Sequence, residues 1–157
     1  MSLESVRADL ALRAPDLTVM VTDESTATVA LAAAVHGVAP GQIAKTLCIR
    51  VRDEDFLLVT RGDARLDNRK AKDAFGGRPR MLGADDVLAL TSHAVGGVCP
   101  FGLPGPIAIY CDVSLRIYDE VIPAGGSTHA SVRLPLSRLV ELCGGRWADA
   151  CEPPPAA

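Results

Sequence analysis

The chain has 157 residues, 48% hydrophobic and 22% charged, proportions of an ordinary globular protein that exclude disordered, collagenous and coiled-coil chains. Sixteen Lys and Arg against nineteen Asp and Glu leave a net charge of −3, so the molecule as a whole does not attract polyanions. Aromatic residues make up only 4%, which leaves Ala, Val, Leu and Ile to fill a core and few rings to stack on nucleic-acid bases.

This length suits one domain, expected over residues 1–152, with a Pro-rich disordered tail over 153–157. Ser2 caps a first helix whose Leu3, Val6 and Leu10 fall at helical spacing, and Pro15 ends it. A short strand follows over residues 17–21. The Ala-rich run from Ser25 to His36 reads as a helix stopped by Gly37. Residues 43–51 and 56–60 are apolar and rich in β-branched side chains. Asp53-Glu54-Asp55 separates them, giving a strand hairpin. Asp67 caps a basic helix that ends near Phe75 before Gly76-Gly77, and a helix over 85–90 carries two acids in its first turn, where the dipole favours them. From Ser92 to Pro106 four glycines and three prolines in fifteen residues demand an irregular loop. Strands are expected over 107–111, 115–117, 121–122 and 131–134, and a last helix runs from Pro135 to Gly144. Strands and helices neither alternate strictly nor segregate, which predicts a mixed α/β (α+β) fold with a curved, largely antiparallel mixed sheet flanked by helices.

Cys48, Cys99, Cys111, Cys143 and Cys151 form no C-x-x-C pair and are odd in number, so a disulfide framework is not expected. No signal-type segment and no 18-residue uncharged apolar run is present, which predicts a cytoplasmic protein with no membrane partner. His36, His93 and His129 lack metal-ligand spacing, and no metal site is expected.

Candidate chemistry concentrates in three places. In a strand over 43–51 the period of two places Lys45 in a column with Ile43, Leu47, Ile49 and Val51. Such a lysine snorkels to water, meets an acid, or faces a cleft where an anionic ligand replaces water. The loop Gly96-Gly97-Val98-Cys99-Pro100-Phe101-Gly102 either aims backbone N–H groups at an ester carbonyl or phosphate, or simply connects a helix to a strand. The turn Ala124-Gly125-Gly126-Ser127-Thr128-His129 offers small donors, or plain hairpin chemistry. Cys99 and His93 suggest a nucleophile pair without fixing its geometry. Asp112 either orients a substrate amine or caps a turn. Residues 61–80 hold seven bases against three acids, a local +4, which is a phosphate-contacting face or a solvated helix surface.

The run from Gly37 to Leu47 containing Gln42-Ile43-Ala44-Lys45-Thr46-Leu47, then Gly62-Asp63 with Asp67, then Thr91 to Gly102, Asp112 and Ala124-Gly125-Gly126, resembles the YbaK/EbsC family of aminoacyl-tRNA deacylases. These are similar to the editing domain inserted in bacterial prolyl-tRNA synthetases. The resemblance covers about residues 20–148. It implies hydrolysis of the ester that joins a wrong amino acid to a tRNA, most often Cys- or Ala-tRNA for proline. No cofactor or metal is implied, and prolyl-tRNA synthetase is a possible partner. It maps the activity-linked lysine onto Lys45 and the pocket-shaping Gly-x-x-x-Pro loop onto Gly96 to Pro100, so that Gly96 and Gly97 hold the carbonyl oxygen while the substrate's ribose hydroxyl helps activate water.

The implied substrate-binding set comprises Thr26, Thr46, His93, Val98, Cys99, Pro100, Phe101, Gly102, Asp112, Gly125, Gly126 and Ser127. Arg69, Lys70 and Lys72 are candidate tRNA contacts. The family often has a basic residue and a further glycine where this chain has Ser127-Thr128-His129, which leaves the amino acid open. Two other readings stand beside the deacylase: a non-catalytic module that holds tRNA or a synthetase in the same cleft, and a thiol hydrolase using Cys99.

Overall fold

The computed structural model describes residues 2–154. Helix α1 (Ser2–Arg13) leads into β1 (Val19–Val21) and α2 (Val29–His36). A hairpin of β2 (Ile43–Val51) and β3 (Glu54–Arg61) is followed by β4 (Arg65–Leu66), α3 (Asn68–Phe75), β5 (Pro79–Met81) and α4 (Ala84–Thr91). The last part holds β6 (Ile109–Asp112), β7 (Glu120–Pro123), β8 (Ala130–Val132), β9 (Leu134–Pro135), α5 (Leu136–Leu142), β10 (Trp147–Ala148) and β11 (Cys151–Glu152).

Local chemistry fixes the helix ends. The Thr28 hydroxyl accepts the Leu31 N–H to start α2, and Gly37 ends it in the left-handed region at φ 66°, a conformation glycine takes without a Cβ penalty. Asp67 accepts the Lys70 N–H at the start of α3. The helix expected from Ser25 therefore begins at Val29, because Thr28 captures the cap. The segment 115–117, expected as strand, is a 3-10 turn over Val113–Ile117. Asp112 initiates it by accepting the Ser114 N–H, and that local side-chain bond outcompetes strand pairing. Pro135 closes β9 and caps α5 rather than standing inside the helix.

The main sheet has the order β10-β6-β3-β2-β7-β9, with β5 also on β2. It is mixed and curls into a half-barrel flanked by five helices. Among the described residues, five strand pairings are antiparallel and three are parallel. Strand β3 is buried on both faces from Phe56 to Thr60, as a near-continuous apolar run in the middle of a sheet should be. Its Leu57 and Val59 join a core with Leu10, Phe101, Leu115 and Leu139. Phe56 and Leu58 join a second core with Ala71 and Ala150. Each fully buried Leu, Val or Phe side chain among them is worth about 1.5–3 kcal/mol.

One feature of β2 positions the site. On the side away from β3, β7 pairs only with Ile43 and Ala44, and β5 pairs only with Ile49 to Val51. Residues 45–48 face a gap between two strand ends. Past Glu152 the chain is irregular at 153 and 154, and the rest of the expected tail, 155–157, lies outside the described residues. Among the described residues no helix is long and apolar enough to cross a membrane.

Candidate active site

The gap opens onto a cavity of about 290 Å³. Thr26 and Ala27 just before α2, Val29 and Ala32 within it, and Gly96, Val98, Ala124 and Ser131 line it, with Gly96 packed directly against Ala27. Lys45 and Thr46 of β2 form the floor, and Met81 and Val87 complete the lining. The walls are mostly small and aliphatic, which suits a ligand of amino-acid size.

Lys45 is half-buried, and its Nζ donates to the Ala64 carbonyl at 2.5 Å. Loss of hydration on burial pulls the ammonium below the ordinary lysine range, opposed by nearby Cys151 and Asp63. Asp63 is itself held by Arg61, with contacts of 2.6 and 2.8 Å. That guanidinium keeps the Asp63 carboxyl below the usual carboxylate range. The sequence alternatives for Lys45 thus resolve into a cavity-lining lysine anchored on a carbonyl beside an acid already claimed by an arginine.

Thr46 occupies the middle of the gap. The Leu82 N–H donates to the Cys48 carbonyl on the β5 side, and the Leu57 N–H, opposite Cys48 in the register, points away from β2 to the Ala108 carbonyl. Because the polar groups of a strand alternate sides residue by residue, the N–H and C=O of Thr46 also point away from β3, into the gap. Among the described residues neither group has a hydrogen-bond partner. The Thr46 hydroxyl is likewise buried without one.

The two glycine turns stand back to back. Gly96 takes φ 98° and lines the cavity. Gly97 lies behind it: its carbonyl accepts the Gly126 N–H at 3.0 Å, and a Cβ on Gly97 would sit 2.7 Å from the Ser127 nitrogen. Thr26 is tied to the same turn, its N–H donating to the Thr128 carbonyl at 2.6 Å. Gly125, Gly126 and Ser127 therefore back the wall without lining it.

Other residues expected at the site lie elsewhere. His93 is fully buried, with Nε2 2.7 Å from the Phe101 carbonyl and Nδ1 bonded to the Ser2 hydroxyl. A carbonyl only accepts, so Nε2 carries the proton and Nδ1 accepts from Ser2. Burial lowers the pKa of this ring. The Cys99 sulfur lies 3.6 Å from Nε2, but that nitrogen is already a donor and cannot act as base. Burial pushes the Cys99 thiol up to about 12. Cys99, Pro100 and Phe101 are all buried, and the Gly102 N–H is held by Asp9 at 2.7 Å. Asp112 is fully buried and caps turns, accepting from Ser114, Ala150 and Cys151.

Arg69 and Lys72 are exposed on α3, whereas Lys70 pairs with Asp149 and Glu152. Sequence reasoning missed Ala32, Met81, Val87 and Ser131 on the cavity wall. Their only signal is aliphatic or small character, which every core residue shares. Among the described residues no group of three potential ligands is placed to hold a metal.

The chain is thus a curled mixed sheet interrupted over a small cavity, with a partly desolvated lysine on its floor. The aminoacyl-tRNA editing domain model matches residues 23–142, and the chain belongs to that family. The Bacillus subtilis (strain 168) protein YwhH, itself uncharacterized, is 40% identical over 154 residues, 97% of this chain and 98% of its own length. A crystal structure described as a candidate trans-editing enzyme for prolyl-tRNA synthetase superimposes with a TM-score of 0.89 at 36% identity, covering 96% of this chain and 97% of its own. Protein APE2540 superimposes with a TM-score of 0.87 at 32% identity, covering 94% and 99%.

Proposed function

We propose that this protein is a free-standing deacylase that hydrolyses the ester of a mischarged tRNA, with Cys- or Ala-tRNA for proline as its foremost substrates. The observation that carries this is the joint placement of Lys45, Thr26 and Gly96 on one small cavity. Membership of the editing-domain family and the likeness to the trans-editing candidate support it. The cavity takes the aminoacyl group and leaves the nucleotide outside.

Lys45, beside the strand floor, meets the phosphate or ribose end, where a cation is strengthened by partial desolvation. Gly96 brings bare main chain up to the acyl group, and a ribose hydroxyl next to the ester assists the attacking water. Residues 1–152 act as one editing domain in the cytoplasm, and exposed Arg69 and Lys72 extend contact to the tRNA backbone. Prolyl-tRNA synthetase is the synthetase partner this reading favours.

The test is a panel of proline tRNAs charged with cysteine, alanine, serine or proline, incubated with wild type and with Lys45→Ala. Selective loss of one mischarged ester, abolished in the variant, supports the proposal. Tight tRNA binding with every ester intact overturns it in favour of a non-catalytic holding module.

A further inference from the structure

We propose that the gap in the sheet is itself the recognition element, and that the acyl group binds there as a single residue of added strand. The α-amine of the ligand donates to the Thr46 carbonyl, and its ester carbonyl accepts the Thr46 N–H. The inference rests on the deacylase reading for the identity of the ligand, but its geometry comes from the sheet.

Three observations carry it. The partners of β2 stop at Ala44 on one side and resume at Ile49 on the other. The register places both main-chain polar groups of Thr46 in the interval, on the cavity floor. Neither has a protein partner among the described residues, so both are left free to a ligand at the cavity. In a hydrogen-bonded antiparallel pair two facing residues exchange both N–H···O bonds, and an α-aminoacyl ester offers the matching donor and acceptor within one residue. Addition to an exposed strand edge is a general way of reading main chain while leaving the side chain to the surrounding walls.

The chemical class selected is therefore an acyl ester bearing an N–H donor on its α-carbon. A des-amino ester leaves the Thr46 carbonyl unpaired. The same N–H sits on the carbonyl oxygen where charge accumulates during hydrolysis, so Thr46 contributes through its backbone, a donor that proline alone would remove. Its N–H takes no part in the β2–β3 ladder, so Thr46→Pro removes the gap-facing donor without breaking a sheet bond.

The test uses the whole ¹⁵N-labelled protein and two uncleavable adenosine conjugates, 3′-alanylamido-3′-deoxyadenosine and its propionylamido counterpart. The alanyl conjugate is expected to shift the Thr46 amide proton and to bind about tenfold or more tighter than the propionyl conjugate. In turnover, Thr46→Pro is expected to lose about 100-fold, at least ten times more than Thr46→Ala, which keeps the main chain. An unmoved Thr46 amide with binding elsewhere in the cavity, equal affinity for the two conjugates, or no binding of either, overturns the inference. If wild type still clears a mischarged tRNA in any of those cases, the deacylase reading stands and only the strand-edge mode falls. If the conjugates bind as expected but no ester is cleaved, the converse holds.

Discussion

The glycine-rich loop from Gly96 to Gly102 divides into two regions with different work. Its first part, Gly96 and Val98, forms cavity wall. Its second part, Cys99 to Gly102, turns inward. Phe101 is fully buried, His93 bridges Ser2 and the Phe101 carbonyl, and Asp9 of α1 holds the Gly102 N–H. One motif thus supplies cavity wall and the anchor that packs it against α1. Residues adjacent in sequence differ in role, the change falling between Val98 and Cys99.

The contrast breaks hardest at the cavity. Lys45→Ala is expected to lower kcat/KM for the preferred mischarged tRNA by about 100-fold or more, with a smaller change in unfolding midpoint. Because burial lowers the Lys45 pKa, activity that needs its charge falls with rising pH before an ordinary lysine would titrate. A pH–rate profile checks this, and Lys45→Arg, if active, moves that limb upward.

Gly97→Ala comes next. Its Cβ would press on the Ser127 nitrogen at 2.7 Å, and rigid backbone on both sides gives an expected cost of about 2–3 kcal/mol. Differential scanning calorimetry should show a fall of about 5–10 °C.

Asp9→Asn tests the anchor more gently, at about 1–2 kcal/mol. The Arg13 hydrogen bond, with further help from Gly102, holds the Asp9 carboxyl below the ordinary carboxylate range. Its stabilisation is present above the unfolded carboxylate pKa and is lost as pH falls through the lower folded value. Chemical denaturation from pH 6 to pH 3 should show that acid slope reduced in the variant.

Cys99→Ala is expected to have the smallest effect, about 1 kcal/mol in stability and turnover within about threefold. Wild type should resist alkylation of Cys99 at pH 8, since the thiol is buried and pushed to about 12. Inactivation of native protein by alkylation at Cys99 would restore the thiol-hydrolase alternative.

Much of the fold was legible because its signals are local. Asp67 with Gly76 bounded α3, Gly37 ended α2, and the acidic trio at 53–55 marked the β2–β3 hairpin, although its turn is Arg52-Asp53 and Glu54 and Asp55 already belong to β3. The 3-10 turn at 113–117 escaped because Asp112 can cap as readily as continue a strand. Lys45, Thr46, Thr26, Gly96 and Val98 stood out as candidates through their motifs, and all five line one cavity. His93, Cys99 and Asp112 looked equally chemical, yet their polar atoms are spent on internal bonds. Spacing along a chain does not reveal which partner a side chain has found. The free edge at Thr46 was unreadable for a related reason: a strand's sequence does not announce where its neighbours end.

Helix α1 precedes the stretch matched by the editing-domain model, which begins at residue 23, yet it braces both glycine turns. A Cβ on Gly126 would lie 2.7 Å from the Ser2 carbonyl oxygen, and one on Gly102 would lie 2.6 Å from the Val6 nitrogen. Anyone excising a minimal catalytic unit at the matched boundary would remove the scaffolding from the far side of the pocket wall. Loop grafts between relatives would similarly succeed or fail on whether the donor's own leading helix travels with them.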